Sequence, residues 1–251
     1  MSADPDPVLL ETSVQSVVCV PPRTNVLVVA AGNAPTPAEV ARLPVTAAVV
    51  AVDAGLDHCL AVGLKVTAVV GDMDSVSPAS IAAVERAGIS IERYPAHKDQ
   101  TDLELALETA LHLLDTPSLD KLLGSEVPAN QIIVLGMGGG RLDHLFGNLL
   151  VLASPRWSAV GVEAWLGDAR AVVVRGRRIL DLTAGQSLSL FAVGGPARVS
   201  TRGLAWELRD EVLEPFASRG ISNQSITDGP QVVVCEGVVL AVMPVETNSQ
   251  R

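Results

Sequence analysis

From about residue 25 to residue 155, short and continuously apolar runs alternate with segments of helical period. NVLVVAAG (25–32), AAVVAVDAG (47–55), KVTAVVGD (65–72), ISIERYP (89–95) and QIIVLG (131–136) read as five strands. The intervening TPAEVARL (36–43), LDHCLAVGL (56–64), PASIAAVERAG (78–88) and TDLELALETALHLLD (101–115) read as helices, as does LDHLFGNLLVLA (142–153) after the fifth strand. Proline enters the first and glycine ends the third, as helix termini favour. Strands apolar on both faces and separated by helices predict a parallel sheet covered on both sides. TPSLDKLLGSEVPAN (116–130) reads as a surface excursion.

Beyond about residue 160 the pattern changes. EAWLGD, ARAVVVRG, RILDLT, QSLSLFAV, ARVSTRG, LAWELRD, GISNQSI, QVVVCEG and VVLAVMP are short strand-like runs, several with period two, divided by turn residues. That grammar predicts a β-sandwich or barrel. CEGVVLAV (235–242) reads as a hairpin turning at Glu236-Gly237, and LAWELRD (204–210) as a strand placing Leu204, Trp206 and Leu208 on one face. The expected fold is α/β: a parallel-sheet, Rossmann-like nucleotide-binding domain over 25–160, then an all-β sandwich domain over 161–251, preceded by a weakly ordered 1–24.

Composition narrows the function. Hydrophobic residues make up 48% of the 251 and charged residues 18%, enough for a sizeable core. A formal net charge of −10 argues against nucleic acid as partner, since phosphate contacts need a basic surface. Cys19, Cys59 and Cys235 are odd in number and far apart, which excludes a disulfide framework and predicts small buried hydrophobes in a reducing compartment. The acidic, proline-rich start lacks a basic signal-peptide region, and no apolar run reaches membrane-spanning length, so a soluble cytoplasmic protein is expected.

Ligands of open parallel sheets bind beyond the carboxyl ends of the strands, and four polar clusters fall there. Asp53 and Gly55 follow the second strand. Gly71-Asp72-Met73-Asp74-Ser75 follows the third; if extended, it would point Asp72 and Asp74 the same way, toward a shared magnesium ion, and the competing reading is that the two cap turns. Before the fourth helix, Thr101 and Glu104 have capping-box spacing, which leaves Lys98, Asp99 and Asp102 unexplained. Asp99 and Asp102 add possible magnesium ligands, and Lys98 a point charge for phosphate. GMGGGRLDH (136–144) is a glycine-rich strand-to-helix loop whose amides could approach an anion. It lacks the Walker A Lys-Ser/Thr, and Arg141 stands where a dinucleotide fingerprint needs glycine. Arg141 offers phosphate a bidentate fork; Asp143 and His144 could cap the helix or support the site. Acidic metal ligands beside basic phosphate ligands suit phosphoryl-type transfer.

The ordered set Asp53-Ala54-Gly55, Gly71-Asp72-Met73-Asp74-Ser75, Lys98-Asp99-Gln100-Thr101-Asp102 and Gly139-Gly140-Arg141-Leu142-Asp143-His144, with Ser222-Asn223 later, resembles the thiamine pyrophosphokinase (thiamine diphosphokinase) family over residues 26–244. The resemblance implies an α/β domain followed by a β-sandwich, a homodimer, ATP and Mg2+ as cofactors, and thiamine as acceptor. The thiamine hydroxyl would attack the β-phosphorus of ATP and release AMP. Asp72, Asp74, Asp99 and Asp102 would hold magnesium and orient the hydroxyl. Lys98, Gln100 and Arg141 would contact phosphates or acceptor, with Asp53, Gly55, Ser75, Thr101, Gly139, Gly140, Asp143 and His144 completing the nucleotide loops. Trp206, Ser222 and Asn223 would face thiamine. Since one sandwich could reach its neighbour's sheet edge, an acceptor site shared between subunits is our own hypothesis. For Trp206 the competing reading is sandwich core.

Ala54, Asp57 and Met73 stand where the family favours glycine, asparagine and an aromatic residue. Two other functions fit the same loops: a diphosphokinase for another alcohol, such as 6-hydroxymethyl pterin, and a non-catalytic nucleotide sensor.

Overall fold

The computed structural model describes residues 24–95, 97–114 and 130–245; the expectations for 1–23, for the excursion after the fourth helix and for Cys19 lie outside them. Helices α1 (Pro37–Ala41), α2 (Gly55–Ala61), α3 (Pro78–Arg86), α4 (Asp102–Leu113) and α5 (Leu142–Leu152) alternate with strands β1 (Asn25–Val29), β2 (Ala48–Val52), β3 (Ala68–Gly71), β4 (Ser90–Arg93), β5 (Gln131–Leu135) and β6 (Gly161–Trp165). The six strands pair in parallel in the order β6-β5-β1-β2-β3-β4. Every residue of β1, β2, β3, β5 and β6 is buried, as continuous β-branched runs require when helices cover both faces. One face packs on α2 and α3 through Leu56, Cys59 and Val84. The other packs on α4 and the end of α5 through Leu103, Ala106, Leu107 and Leu152.

The remaining strands are β7 (Ala169–Val174), β8 (Arg177–Ile179), β9 (Ser187–Ala192), β10 (Ala197–Arg202), β11 (Glu211–Leu213), β12 (Asn223–Gln224), β13 (Gln231–Glu236) and β14 (Val239–Pro244). They are antiparallel. β7 pairs with β6, and β14, β9 and β12 follow outward, so one ten-stranded sheet runs through the molecule; β11-β10-β13-β8 form a second, four-stranded sheet. Val172, Leu190 and Ala241 of the long sheet meet Val199, Val232 and Val234 of the short one in an apolar core. The chain is thus mixed α/β, with a large parallel-rich sheet and a separate antiparallel region.

Three expectations change. EAWLGD opens no β-rich unit: its strand pairs in parallel with β5, and the pairing reverses only at the Trp165–Ala169 turn. CEGVVLAV is not a hairpin, because β13 lies in the short sheet and β14 in the long one. The chain arches between layers at Gly237, whose φ of 81° and closeness to the Pro196 carbonyl leave no room for a Cβ. LAWELRD is no strand: apart from one bridge at Leu204 it forms bends. Local alternation matched a strand there, but the core claimed only Leu204 and Leu208.

Candidate active site

The carboxyl ends of β2 and β3 gather acid. Asp53 takes a left-handed φ of 45°, a conformation that aspartate tolerates better than most residues. Its side chain turns back over β3, where Gly71 has φ 145° and a Cβ would fall 1.9 Å from Asp53 Oδ1. Met73 N–H donates to that same Oδ1 at 3.2 Å. Burial pushes the Asp53 carboxyl up to about 6; the Met73 bond opposes this, while the charges of Asp102 and Asp72 reinforce it. Asp53, Asp72 and Asp102 are therefore electrostatic neighbours. Lys98 Nζ lies 2.8 Å from Asp102 Oδ1, in an ion pair without hydrogen-bond alignment, so that buried oxygen lacks a hydrogen-bond donor.

The 71–75 stretch is a turn rather than extended chain. Met73 has φ 68° and is buried, and Asp74 N–H donates to Asp72 Oδ1 at 3.1 Å. Asp72 is half-buried; Asp74 and Ser75 are exposed. The side-by-side facing expected of Asp72 and Asp74 does not form, because Asp72 caps the turn. The capping reading holds for Asp72, which also borders Asp53. Asp99 is exposed. Among the described residues no three carboxylate, imidazole or thiol side chains stand close enough to hold a metal by themselves.

At α4, Thr101 Oγ1 accepts from Glu104 N at 3.2 Å, but only half of the expected capping box forms. The Glu104 carboxylate instead takes Arg156 NH1 at 2.5 Å. Gln100 Nε2 donates to Glu108 Oε1 at 2.7 Å, so its amide is anchored on α4.

The glycine-rich loop crosses the end of β1. Gly32 N donates to Gly136 O at 2.8 Å and Asn33 N to Gly138 O at 2.6 Å. A Cβ on Gly32 would lie 1.9 Å from Gly138 O. Gly139 and Gly140 take φ 137° and 92° and are exposed, as are Arg141, Asp143 and His144. Arg141 uses its fork on its own chain, with Nε to Asp143 Oδ1 at 3.0 Å and NH2 to Oδ2 at 2.6 Å. Those bonds hold the Asp143 carboxyl well below the usual carboxylate range. Among the described residues no hydrogen bond or ion pair joins this loop to the aspartates.

In the antiparallel region, Trp206 is 58% exposed while Leu204 and Leu208 are 1% exposed. The indole is not core. The backbone around it is pinned by Asn223, which donates Nδ2 to Trp206 O at 2.8 Å and accepts from Trp206 N at 3.2 Å. Ser222, at φ 57°, donates its N–H to Ser189 Oγ at 3.1 Å. Trp206, Ser222, Asn223, Ile221 and Arg219 line a cavity of about 430 Å³. Trp157 and Trp165 are buried, as packing residues should be. So is Cys59, but Cys235 is exposed, because it lies at the end of β13 next to the arch.

One residue acting on the acidic loops was not singled out for that role from sequence. Asp57 of α2 accepts from Ser77 N at 3.1 Å, Ser77 Oγ at 2.7 Å and Ser80 Oγ at 2.5 Å. These donors hold its carboxyl below the usual range despite the upward pull of burial. Asp57 thereby fixes the start of α3, and the 71–75 turn before it, against the helix that follows Asp53. Ser-Pro at 77–78 marks a helix start, but nothing local names its distant acceptor. The other two departures also have structural accounts. Ala54 has φ −58° and needs no glycine. Gly55 is the obligatory one, since a Cβ there would lie 2.1 Å from Val29 O. Met73 seals the turn with a buried side chain.

Family models described as thiamin pyrophosphokinase, catalytic domain, and thiamin pyrophosphokinase, vitamin B1 binding domain, match residues 43–164 and 177–239. The first contains both acidic loops and the glycine-rich loop; the second contains the Trp206 cavity. Thiamine pyrophosphokinase of Bacillus subtilis is 34% identical over 103 residues, 41% of this chain and 42% of that protein, so this alignment spans less than half of the relative. The crystal structure of thiamine pyrophosphokinase from Bacillus subtilis superposes with a TM-score of 0.70 at 19% identity, covering 89% of this chain and 100% of the other. Thiamin pyrophosphokinase from Candida albicans does so with 0.71 at 15%, covering 89% and 90%. With both halves matched by that family's own models, the chain belongs to the thiamin pyrophosphokinase family.

Proposed function

We propose that the protein is a thiamine diphosphokinase: it transfers the pyrophosphoryl group of ATP to the thiamine hydroxyl, giving thiamine diphosphate and AMP. The observation that carries this reading is the pairing of both family matches with both candidate sites in one chain. The α/β half, as a nucleotide-binding domain, takes ATP at the carboxyl ends of its strands. The antiparallel half takes thiamine, with Trp206 against the flat, cationic ring and Ser222 and Asn223 beside it.

Magnesium fits the acidic loops. The donors are hard carboxylate oxygens, Asp102 Oδ1 is buried without a hydrogen-bond donor, and burial, reinforced by the charges of Asp102 and Asp72, raises the proton affinity of Asp53. A cation would satisfy that oxygen and offset the carboxylate repulsion. Magnesium characteristically takes a few carboxylates and completes its shell with phosphates and water, which suits a set that is not a closed cage. Asp72 and Asp102 would hold it from the half-buried side and Asp74 and Asp99 from the exposed side; the bound ion would neutralise phosphate charge. Lys98, held at Asp102, presents its ammonium beside that position. Arg141 can exchange Asp143 for phosphate oxygens of the same planar geometry. Asp53 and Gly71 hold the loops in place, and the same carboxylates orient the acceptor hydroxyl.

Among the described residues no hydrogen bond or ion pair joins the Trp206 cavity to the acidic loops of its own chain. Our reading is therefore a homodimer in which the antiparallel half of one subunit serves the sheet edge of the other. The test is AMP and thiamine diphosphate formation from ATP and Mg2+, with thiamine and 6-hydroxymethyl pterin as competing acceptors. Production of AMP only with the pterin, or with neither alcohol, would refute the proposal.

A further inference from the structure

We propose that Glu108 and Arg156 are positioning residues for the acceptor substrate. They fix the Gln100 side-chain amide with its nitrogen against α4 and its carbonyl oxygen free, and that oxygen accepts a hydrogen bond from the acceptor hydroxyl. The proposal rests on the transferase reading and assigns Gln100 to the acceptor within it, not to phosphate.

The clamp begins with the diverted capping box. Thr101 and Glu104 have the spacing to cap each other, yet the Glu104 carboxylate takes Arg156 NH1 at 2.5 Å. Glu108, one turn further along α4, takes Arg156 NH2. Residues four apart share a helix face, so one guanidinium spans both carboxylates. It ties the start of α4 to the short turn Pro155–Trp157 that follows α5. Arg156 is itself held from behind. Its guanidinium lies 5.2 Å from the centroid of the Trp157 ring. That indole is 1% exposed and donates Nε1 to Val151 O at 2.8 Å. A stacked and forked arginine loses the rotamer freedom of an ordinary surface one, so Glu108 is held in place.

The consequence falls on Gln100. Its Nε2 donates at 2.7 Å to Glu108 Oε1, the same oxygen that Arg156 NH2 engages. A carboxylate accepts and does not donate, so the amide cannot turn over without setting two oxygens against each other. The second hydrogen on Nε2 stays beside Glu108, where two carboxylates against one guanidinium disfavour a phosphate. Gln100 is half-buried, and among the described residues no hydrogen bond reaches its Oε1. A free carbonyl oxygen suits a hydroxyl, which can donate, and repels a phosphate, whose oxygens accept. Positions 98 and 100 of one loop thus divide the substrates. The Lys98 ammonium serves phosphate and the Gln100 carbonyl serves the alcohol.

The test is a kinetic cycle on the full chain, with AMP release followed against thiamine at saturating ATP and Mg2+, and against ATP at saturating thiamine. Glu108→Ala should lower kcat/KM for thiamine about three- to tenfold, the scale of one neutral hydrogen bond, and leave the ATP KM unchanged. Glu108→Gln keeps an oxygen for Nε2 and should recover most of that loss. With Gln100→Ala already present, Glu108→Ala should have no further effect, because the clamp acts only through Gln100. Arg156→Ala, a change at an exposed residue, should act in the same direction and gives the same cycle if Glu108→Ala does not fold. Additive losses in the cycle, no recovery in Glu108→Gln, or a raised ATP KM in place of the thiamine effect would overturn the proposal while the transferase reading stands. A wild-type chain that releases no AMP with thiamine overturns both.

Discussion

The acidic loops and the Trp206 cavity are built by opposite means. At the acidic loops, Asp53 and Met73 hold left-handed backbone, which costs on the order of 1–3 kcal/mol for each non-glycine residue. Gly71 and Gly55 admit contacts that no side chain would allow. All of this brings like charges together, and Lys98, 2.8 Å from Asp102, offsets only part of their repulsion. The Trp206 cavity gathers no cluster of like charges: its one charged lining residue, Arg219, is paired with Glu211 at 2.9 Å. An exposed indole stands on a backbone pinned by one buried amide, ready for a flat ligand before any arrives. One site is strained and acidic; the other is preformed and carries no excess of acid.

The largest effect expected to sharpen this contrast is on Asp72. Asp72→Asn should lower transfer by roughly 10²–10³-fold, the scale on which removing one electrostatic group acts, while the fold persists. Steady-state AMP release with ordinary Mg2+ checks it, and near-normal turnover would sink the metal-site reading. Trp206→Ala comes next. Losing an indole–cation contact of about 0.5–2 kcal/mol should raise the thiamine KM severalfold, leave the ATP KM unchanged and spare stability, since the side chain is exposed. Mixing Asp72→Asn with Trp206→Ala subunits should then restore activity, because each mixed dimer holds one intact site. A mixture as inactive as its parents, with subunit exchange demonstrated, removes the shared-site idea.

Arg141→Lys should act less, raising the ATP KM while thiamine binding is spared. Lysine keeps the charge but not the fork now closed on Asp143. Wild-type ATP kinetics would make Arg141 a surface residue. The smallest effect concerns Asp53 in metal-free buffer. Its carboxyl titrates near 6 in the folded chain against an ordinary 3.8. Between those values the folded state holds a proton that the unfolded state has released, so this group's contribution falls as pH rises through the window. The stability of Asp53→Asn relative to wild type should therefore grow from about pH 4 to about pH 6 and stay level above. Denaturant melts at each pH test this, and a flat difference would show that burial and its neighbours do not raise the Asp53 carboxyl.

The parallel half was legible because burial on both faces writes itself as unbroken apolar runs. The family resemblance was legible because four loops carry chemistry in a fixed order. What escaped depends on contacts between distant segments. The Asp57 clamp reaches 20 residues to Ser77, and no local pattern names that acceptor. Period two misread LAWELRD, since the alternation that buries Leu204 and Leu208 there serves a bend exposing the residue between them. The supposed hairpin at Gly237 failed for a related reason. A tight turn between two strands looks the same in sequence whether they pair or cross between layers.

The uninterrupted sheet has a mechanical consequence. Strand β6 is bonded to β5 along one edge and to β7 along the other, so the ladder passes from the parallel half into the antiparallel half without a gap. A hinge between the halves would have to tear that ladder. The separation of a subunit's own indole from its own acidic loops is therefore set at folding rather than during turnover. Heating should accordingly melt the chain in one cooperative step, with no intermediate in which one half stands alone.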